Sequence, residues 1–239
     1  MKIAVMQPYW VPYIGYFQLM NAVDEFIIYD NIKYTKKGWI NRNRILFNDK
    51  EVYITLPLKK ASDFLDIEKR FLAESWIEDR NKIIGRITQA YRRAPFFETV
   101  FPIIEESILF DQHNLFHFIF NSITVIKEYL GIKTQLIVSS SIPVADTLKS
   151  QEKVLKICNA RHANVYINPI GGQSLYDSDT FKKQDINLHF LKTDDITYPQ
   201  SQKRFIPSLS IVDVMMYNSK EQIGEYLNHS YTLLKPNTN

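Results

Sequence analysis

Two short apolar runs near the amino terminus, Lys2–Met6 and Glu25–Tyr29, each stop abruptly in polar residues. Runs of this length bounded by turn formers read as strands. Gln7-Pro8-Tyr9-Trp10 and Pro12-Tyr13-Ile14-Gly15-Tyr16-Phe17 follow the first; Asp30 and then Tyr34 through Arg44 follow the second. The strands supply hydrophobic filling, and the turns supply amides, phenols, a carboxylate and guanidinium groups. In α/β proteins, ligands bind beyond the carboxyl ends of the strands, so these turns are the expected walls of a small-molecule site.

The rest of the chain alternates strand and helix. Further strands are expected at Val52–Leu56, Thr134–Val138, Asn164–Asn168 and Leu188–Leu191. Ser75-Trp76-Ile77-Glu78 reads as a capping box opening a helix whose apolar face is Ile83, Ile84, Ile87 and Tyr91, with Pro95 beyond its end. A second helix is expected from Asn114 to Leu130, with Gly131 as its left-handed cap, and a third from Ser150 through Arg161. Ile211–Tyr217 and Glu221–Leu233 also read as helical. The alternation predicts an α/β fold, a mostly parallel sheet with flanking helices. Thr88 to Leu130 holds no strand and is flanked by no Gly/Ser/Pro-rich linker. It is therefore a helical excursion within one α/β domain covering 1–239, with the insert at about 75–130. Lys235–Asn239 is expected to fray.

At 239 residues, 45% hydrophobic and 23% charged, the composition is that of an ordinary globular protein. No apolar run approaches the roughly 20 residues of a membrane span. Gln7-Pro8 interrupts the opening residues too early for a signal peptide, which predicts a cytoplasmic location. The lone cysteine, Cys158, excludes an internal disulfide and a thiolate cage, and its helical spacing with Val154 and Leu155 reads as a buried thiol. Net charge is only +3, yet 31–48 holds no acid while Lys33, Lys36, Lys37, Arg42 and Arg44 crowd together. That stretch attracts anions but is too short to call for nucleic acid as a partner.

Several residues are candidates for chemistry. The amide of Gln7 and the phenols of Tyr9 or Tyr16 suit a polar ligand; alternatively, Tyr13, Tyr16 and Phe17 pack beneath the sheet and Gly15 is a helix–strand contact. Asp30 stands where a carboxylate meets a ribose or amino group or serves as a base, or simply forms a turn. In Trp39-Ile40-Asn41-Arg42-Asn43-Arg44, alternation puts Trp39, Asn41 and Asn43 on one side and Arg42 and Arg44 on the other. There Arg42 could clamp a phosphate, aided by Lys36 or Lys37, while Trp39 or Tyr9 stacks a flat ring; solvent-facing arginines are the alternative. Ser139-Ser140-Ser141 and Ile170-Gly171-Gly172-Gln173 also fall in ligand-loop positions, where hydroxyls and turn amides suit anionic oxygens. His113 and His117 lie four apart amid Phe116, Phe118 and Phe120, a helix face rather than a metal pair, so no metal site is expected. Tyr13-Ile14-Gly15-Tyr16 sits where some nucleotide-binding enzymes carry His-x-Gly-His, and lacks both histidines that would donate to a transferring phosphate.

Four stretches together resemble the WbqC-like family of bacterial proteins. They are Gln7 through Phe17, Trp39 through Arg44, the Ser139–Ser141 turn with Lys156-Ile157-Cys158 and Tyr166-Ile167-Asn168, and Tyr198-Pro199-Gln200 through Phe205 to Leu209-Ser210-Ile211-Val212-Asp213. The family's motifs map onto Gln7, Gly15, Asp30, Trp39, Asn41, Arg42, Asn43, Ser140, Gly171, Tyr198, Gln200, Ser210 and Asp213. The resemblance implies a place in O-antigen or other surface-polysaccharide synthesis, and acyl or aminoacyl (glycyl) transfer to an amino sugar. Partners would be a nucleotide-linked sugar and an activated acyl donor. On this reading Asp30 and Gln7 are the catalytic candidates, and Tyr9, Gly15, Tyr16, Lys36, Trp39, Asn41, Arg42, Asn43, Ser140, Gly171 and Gln200 contact substrate. An ATP-dependent amide ligase and a non-catalytic nucleotide-sugar-binding protein are the alternatives.

Overall fold

The computed structural model describes residues 1–62, 64–144, 148, 150–201 and 204–236. In chain order the elements are β1 (Lys2–Met6), α1 (Ile14–Asn21), β2 (Glu25–Ile28), β3 (Arg42–Phe47), β4 (Lys50–Thr55), α2 (Trp76–Tyr91), α3 (Phe97–Leu109), α4 (Leu115–Leu130), β5 (Gln135–Val138), α5 (Ser150–Ala160), β6 (Val165–Pro169), α6 (Ser178–Lys182), β7 (Asn187–Thr193), α7 (Ile211–Tyr217), α8 (Lys220–His229) and β8 (Tyr231–Leu234). The expected fold class is what forms: an α/β protein with a mostly parallel six-stranded sheet, flanking helices, and a helical stretch, α2–α4, in mid-chain. Strand order is β5-β2-β1-β6-β7-β8, parallel except for β8, which runs antiparallel to β7.

Burial on both faces explains the continuous apolar runs of the central strands. Ile3 and Val5 point to one side, packing with Val154, Leu155, Ile157 and Cys158 of α5 and Phe181 of α6. Ala4 points to the other, into the larger cluster built by α1, α2–α4, α7 and α8. A half-buried ion pair ties the sheet to the end of α5: Arg161, just past the helix, donates from Nε to Glu25 Oε2 at 2.8 Å.

Three expectations change. Val52–Leu56 belongs to a separate antiparallel hairpin, in which β3 pairs β4 through a turn at Asn48-Asp49. Both turn residues have positive φ, 49° and 60°, the geometry that matches a tight hairpin to strand twist. The helix expected over Glu221–Leu233 ends at His229, and the chain then forms β8 as an edge strand. Ser75 is not a capping-box residue. Its hydroxyl donates to Asp79 Oδ2 at 2.7 Å, while its backbone oxygen receives the Glu78 and Asp79 amides. Asn114 does cap α4, accepting from the His117 amide, and Gly131 ends it at φ 73°. The expected frayed tail falls partly on 237–239, outside the described residues.

Candidate functional site

The chain leaves β1 toward β2 on one side, while β6 lies against β1 on the other. The turns leaving β1 and β6 therefore diverge, which opens a crevice at the carboxyl ends of the strands. A cavity of about 770 Å³ occupies this crevice. It is walled by Gln7 after β1, Tyr29, Asn31 and Lys33 after β2, Asn168 at the end of β6, Gly171 and Gly172 in the helical turn that follows, and Lys153 from α5.

Lys153 is the most unusual group in that wall. It lies on the inward face of α5 with Val154, Ile157 and Cys158, and is only 6% exposed. Its Nζ donates to Asn31 Oδ1 at 3.0 Å and stands 5.3 Å from the centre of the Tyr29 ring. No carboxylate among the described residues pairs with it. A buried ammonium facing a cavity with, among the described residues, an amide oxygen and a ring face beside it favours an anionic ligand. Its orientation is set from behind. Ser139 Oγ lies 2.7 Å from Asn31 Oδ1 and 2.9 Å from Asp30 Oδ1, and the Ser140 amide donates to the same Asp30 oxygen at 3.0 Å.

Phenols form much of the remaining wall. Burial pushes the Tyr9, Tyr13, Tyr29 and Tyr176 hydroxyls above their ordinary value, so they stay protonated and act as donors. Asn168 accepts from Tyr166 Oη at 3.1 Å and donates to the Pro169 carbonyl at 2.9 Å. A side chain at Gly172 would strike the Asn168 amide and force it away from its contacts with Tyr166 and Pro169. Gly15 has a similar role: a Cβ there would meet the Tyr13 ring and Thr193 Oγ1 at the start of α1.

Tyr9 and Tyr13 are shared with a second hollow of about 300 Å³ lined also by Pro12, Trp39, Asn43, Arg44 and Ser208. A third hollow, about 950 Å³, shares Gly171, Leu175 and Tyr176 with the crevice, but its described lining holds Asp177 and Asp179 and no cation. These carboxylates repel phosphate.

Of the residues singled out from sequence, Gln7, Tyr9 and Gly171 line the crevice, and Trp39 and Asn43 join Tyr9 in the smaller hollow. The others lie elsewhere. Tyr16 is buried in the core, its hydroxyl donating to the Gln7 carbonyl at 3.1 Å and its ring edge-on to Phe17 and Phe26. Asn41 is buried between the Tyr34 hydroxyl and the Leu56 carbonyl, at 2.8 Å from each. Arg42 donates to the Gly38 and Lys37 carbonyls and stacks on Tyr53, holding its own loop. Lys36 is exposed. Asp30 and Ser140 form the support behind Asn31 rather than the crevice lining. Gln200 donates to Asp213 Oδ2 and to the Ile206 carbonyl, closing the loop before α7. The expected alternation also needs correction. Asn41 and Asn43 do face inward, but Trp39 precedes β3 and stacks with Tyr53 and Arg44, on the arginines' side.

Sequence reasoning missed Lys153, Asn31, Asn168 and Asp66, all in the crevice wall. Lys153 had one available signal: a lysine inside the apolar stripe Val154, Ile157, Cys158.

No helix among the described residues is long and apolar enough to cross a membrane. No solved structure matches the chain. A protein of Mycobacterium tuberculosis (strain ATCC 25618 / H37Rv) named "Uncharacterized protein Rv1507c" is similar, 30% identical over 231 residues that cover 95% of this chain and 98% of that protein. The model of the WbqC-like protein family matches residues 7–225, spanning the strand-end turns, the hairpin, α5 and the Asp213 region alike, and the chain belongs to that family.

Proposed function

We propose that this protein is a transferase that forms an amide, by acyl or aminoacyl transfer such as glycyl transfer, on the amino group of a nucleotide-linked amino sugar. On this reading it serves O-antigen or other surface-polysaccharide synthesis in the cytoplasm, and the whole chain acts as one domain. The observation that carries the reading is Lys153, a buried ammonium facing the switch-point crevice without a carboxylate partner among the described residues. It suits a diphosphate, with Lys33 at the rim as a second cation. Lys153 takes the role first considered for Arg42, because the Arg42 guanidinium is committed to backbone carbonyls.

The sugar is held by Gln7 and Asn168 amides and by protonated phenols of Tyr29 and Tyr176. An amine attacks only when neutral, so a base must first take a proton from its ammonium form. Asp66 is the carboxylate among the described lining residues, and we assign it that role; Asp30 positions Asn31 and hence Lys153. The neutral nitrogen adds to the acyl carbon, the carrier leaves with its bonding pair, and the surplus proton on the nitrogen passes to the departing carrier, which leaves the neutral amide. An ATP-dependent ligase would differ by releasing pyrophosphate or phosphate, and a binding protein by yielding no amide at all.

The test is heat stabilisation of the purified protein by a panel of nucleoside-diphosphate amino sugars, alongside the matching neutral sugars. Stabilisation by an amino sugar and not by its neutral counterpart is expected. No shift with any member contradicts the reading.

A further inference from the structure

The smaller hollow differs in chemistry from the crevice beside it. Its lining is aromatic, with Tyr9, Tyr13 and Trp39, and the one cation among its described lining residues is already matched: Arg44 Nη1 lies 2.6 Å from Glu51 Oε2, and Nη2 donates to the Ser208 carbonyl at 3.2 Å. A charge-balanced hollow with exposed ring surface favours a flat, neutral group over an anion. At about 300 Å³ it is at the small end for ligand sites, room for a ring system rather than a whole nucleotide sugar. The crevice, at about 770 Å³, has the volume and the cations for that larger ligand. Tyr9 and Tyr13 line both spaces, so ligands in the two would approach each other across this pair.

We infer that the smaller hollow is the donor subsite and that it takes an adenine ring. The inference rests on the transferase reading above, which requires an activated acyl group. Acyl adenylates, coenzyme A thioesters and the aminoacylated ends of transfer RNA share an adenosine, and only its base is flat and uncharged. The ring packs against the Tyr9–Tyr13 wall and the part of Trp39 left exposed beside its Tyr53 and Arg44 contacts, and the acyl group reaches over that wall to the amine.

Trp39 also supplies the readout, since it is 39% exposed while Trp10 and Trp76 are buried. The experiment is a tryptophan-fluorescence titration of the whole protein with adenosine, coenzyme A, a non-hydrolysable acyl-adenylate analogue and a short oligoribonucleotide ending in CCA. Each is run with and without saturating nucleoside-diphosphate amino sugar. At least one adenosine-bearing compound is expected to quench saturably, with cytidine inert at the same concentration and the quench retained when the sugar nucleotide is present. Tyr13→Ala should weaken that binding about tenfold, and Trp39→Ala, followed by calorimetry, should do the same. The compound that binds tightest identifies the donor's source. Lack of a saturable quench with every adenosine compound overturns the inference. So does competition by the sugar nucleotide, which would give the hollow to the acceptor's own base, or unchanged affinity in both variants. Failure of the transferase reading would look different: the adenosine quench would persist while no amino-sugar nucleotide binds.

Discussion

Lys153 Nζ and Asn31 Oδ1 lie 3.0 Å apart, and through this contact a helix on one face of the sheet meets the turn leaving β2 at the mouth of the crevice. The amide oxygen satisfies one ammonium donor but leaves its charge unmatched among the described residues. Burying a cation in this way costs stability, which points to a functional reason for its presence. Asn31 is itself held by Ser139, which also reaches Asp30. Asp30 thus stands behind the cation, joined to it through Ser139 and Asn31.

Gly15→Ala tests how closely α1 and Tyr13 are packed. The added methyl would overlap the Tyr13 ring and Thr193 Oγ1. Overpacking of this kind costs about 1–3 kcal/mol, read as a lower denaturation midpoint. Because Tyr13 lines both cavities, ligand binding should weaken beyond what the stability loss explains.

Ser210 holds the loop that carries Tyr9 and Tyr13. Its hydroxyl donates to the Val11 carbonyl at 2.7 Å and accepts from the Val212 amide at 3.3 Å, while the Ile211 amide donates to the Pro12 carbonyl. Val11 sits at φ 40°, a conformation that a β-branched residue adopts only when its surroundings enforce it. Ser210→Ala should destabilise by about 1–3 kcal/mol in urea unfolding, through the lost cap and the buried Val11 oxygen. It should also loosen the Tyr9–Tyr13 wall, visible as weaker ligand binding.

Asp213 links stability to pH. Burial raises its carboxyl pKa above the ordinary 3.8, although Tyr198, Tyr91 and Gln200 donate to it and oppose the shift. A raised folded pKa means that the folded state holds the proton more firmly. Its stabilising contribution is therefore complete below 3.8 and lost as pH climbs through the folded value. The stability of the wild type relative to Asp213→Asn should fall as pH rises from 3.8, measured by urea midpoints across a pH series. A flat or rising difference would show that the hydrogen bonds outweigh burial.

Cys158 should be inert in the native protein. It is buried against the sheet, and burial pushes its thiol up to about 12. A disulfide reagent at mild alkaline pH is expected to label it only in denaturant. Rapid labelling of the folded chain would mean that α5 opens readily, and would weaken the case for a preset Lys153.

The fold was largely legible because its signals are local. β1 and β2 are apolar runs with abrupt ends, Asn114 and Gly131 bracket α4 with cap residues, and β5 and β6 repeat the strand pattern. The hairpin was only half read, since β3 carries Arg42, Asn43 and Arg44 and pairs with a neighbour rather than with the main sheet. β8 was absorbed into the preceding helix because Tyr231–Leu234 fits either period, and pairing with β7 decides the matter.

The site was less legible. Gln7 and Tyr9 were found because they follow a strand directly. Arg42, Asn41 and Gln200 have the right chemistry, but their partners are backbone groups, the Tyr34 hydroxyl and Asp213, which only the tertiary arrangement reveals. Lys153 was hidden for the converse reason. In sequence it is an ordinary helix lysine, and only the packing of α5 on the sheet makes it a buried cation.

Whether Lys153 holds an anionic substrate is decided by calorimetric binding of a nucleoside-diphosphate amino sugar to the wild type and to Lys153→Met. The variant should keep or gain thermal stability, because an apolar side chain replaces a buried charge with no carboxylate partner among the described residues, and should lose about 2–4 kcal/mol of binding free energy. Equal affinity in the two proteins, with the variant folded, would contradict that role.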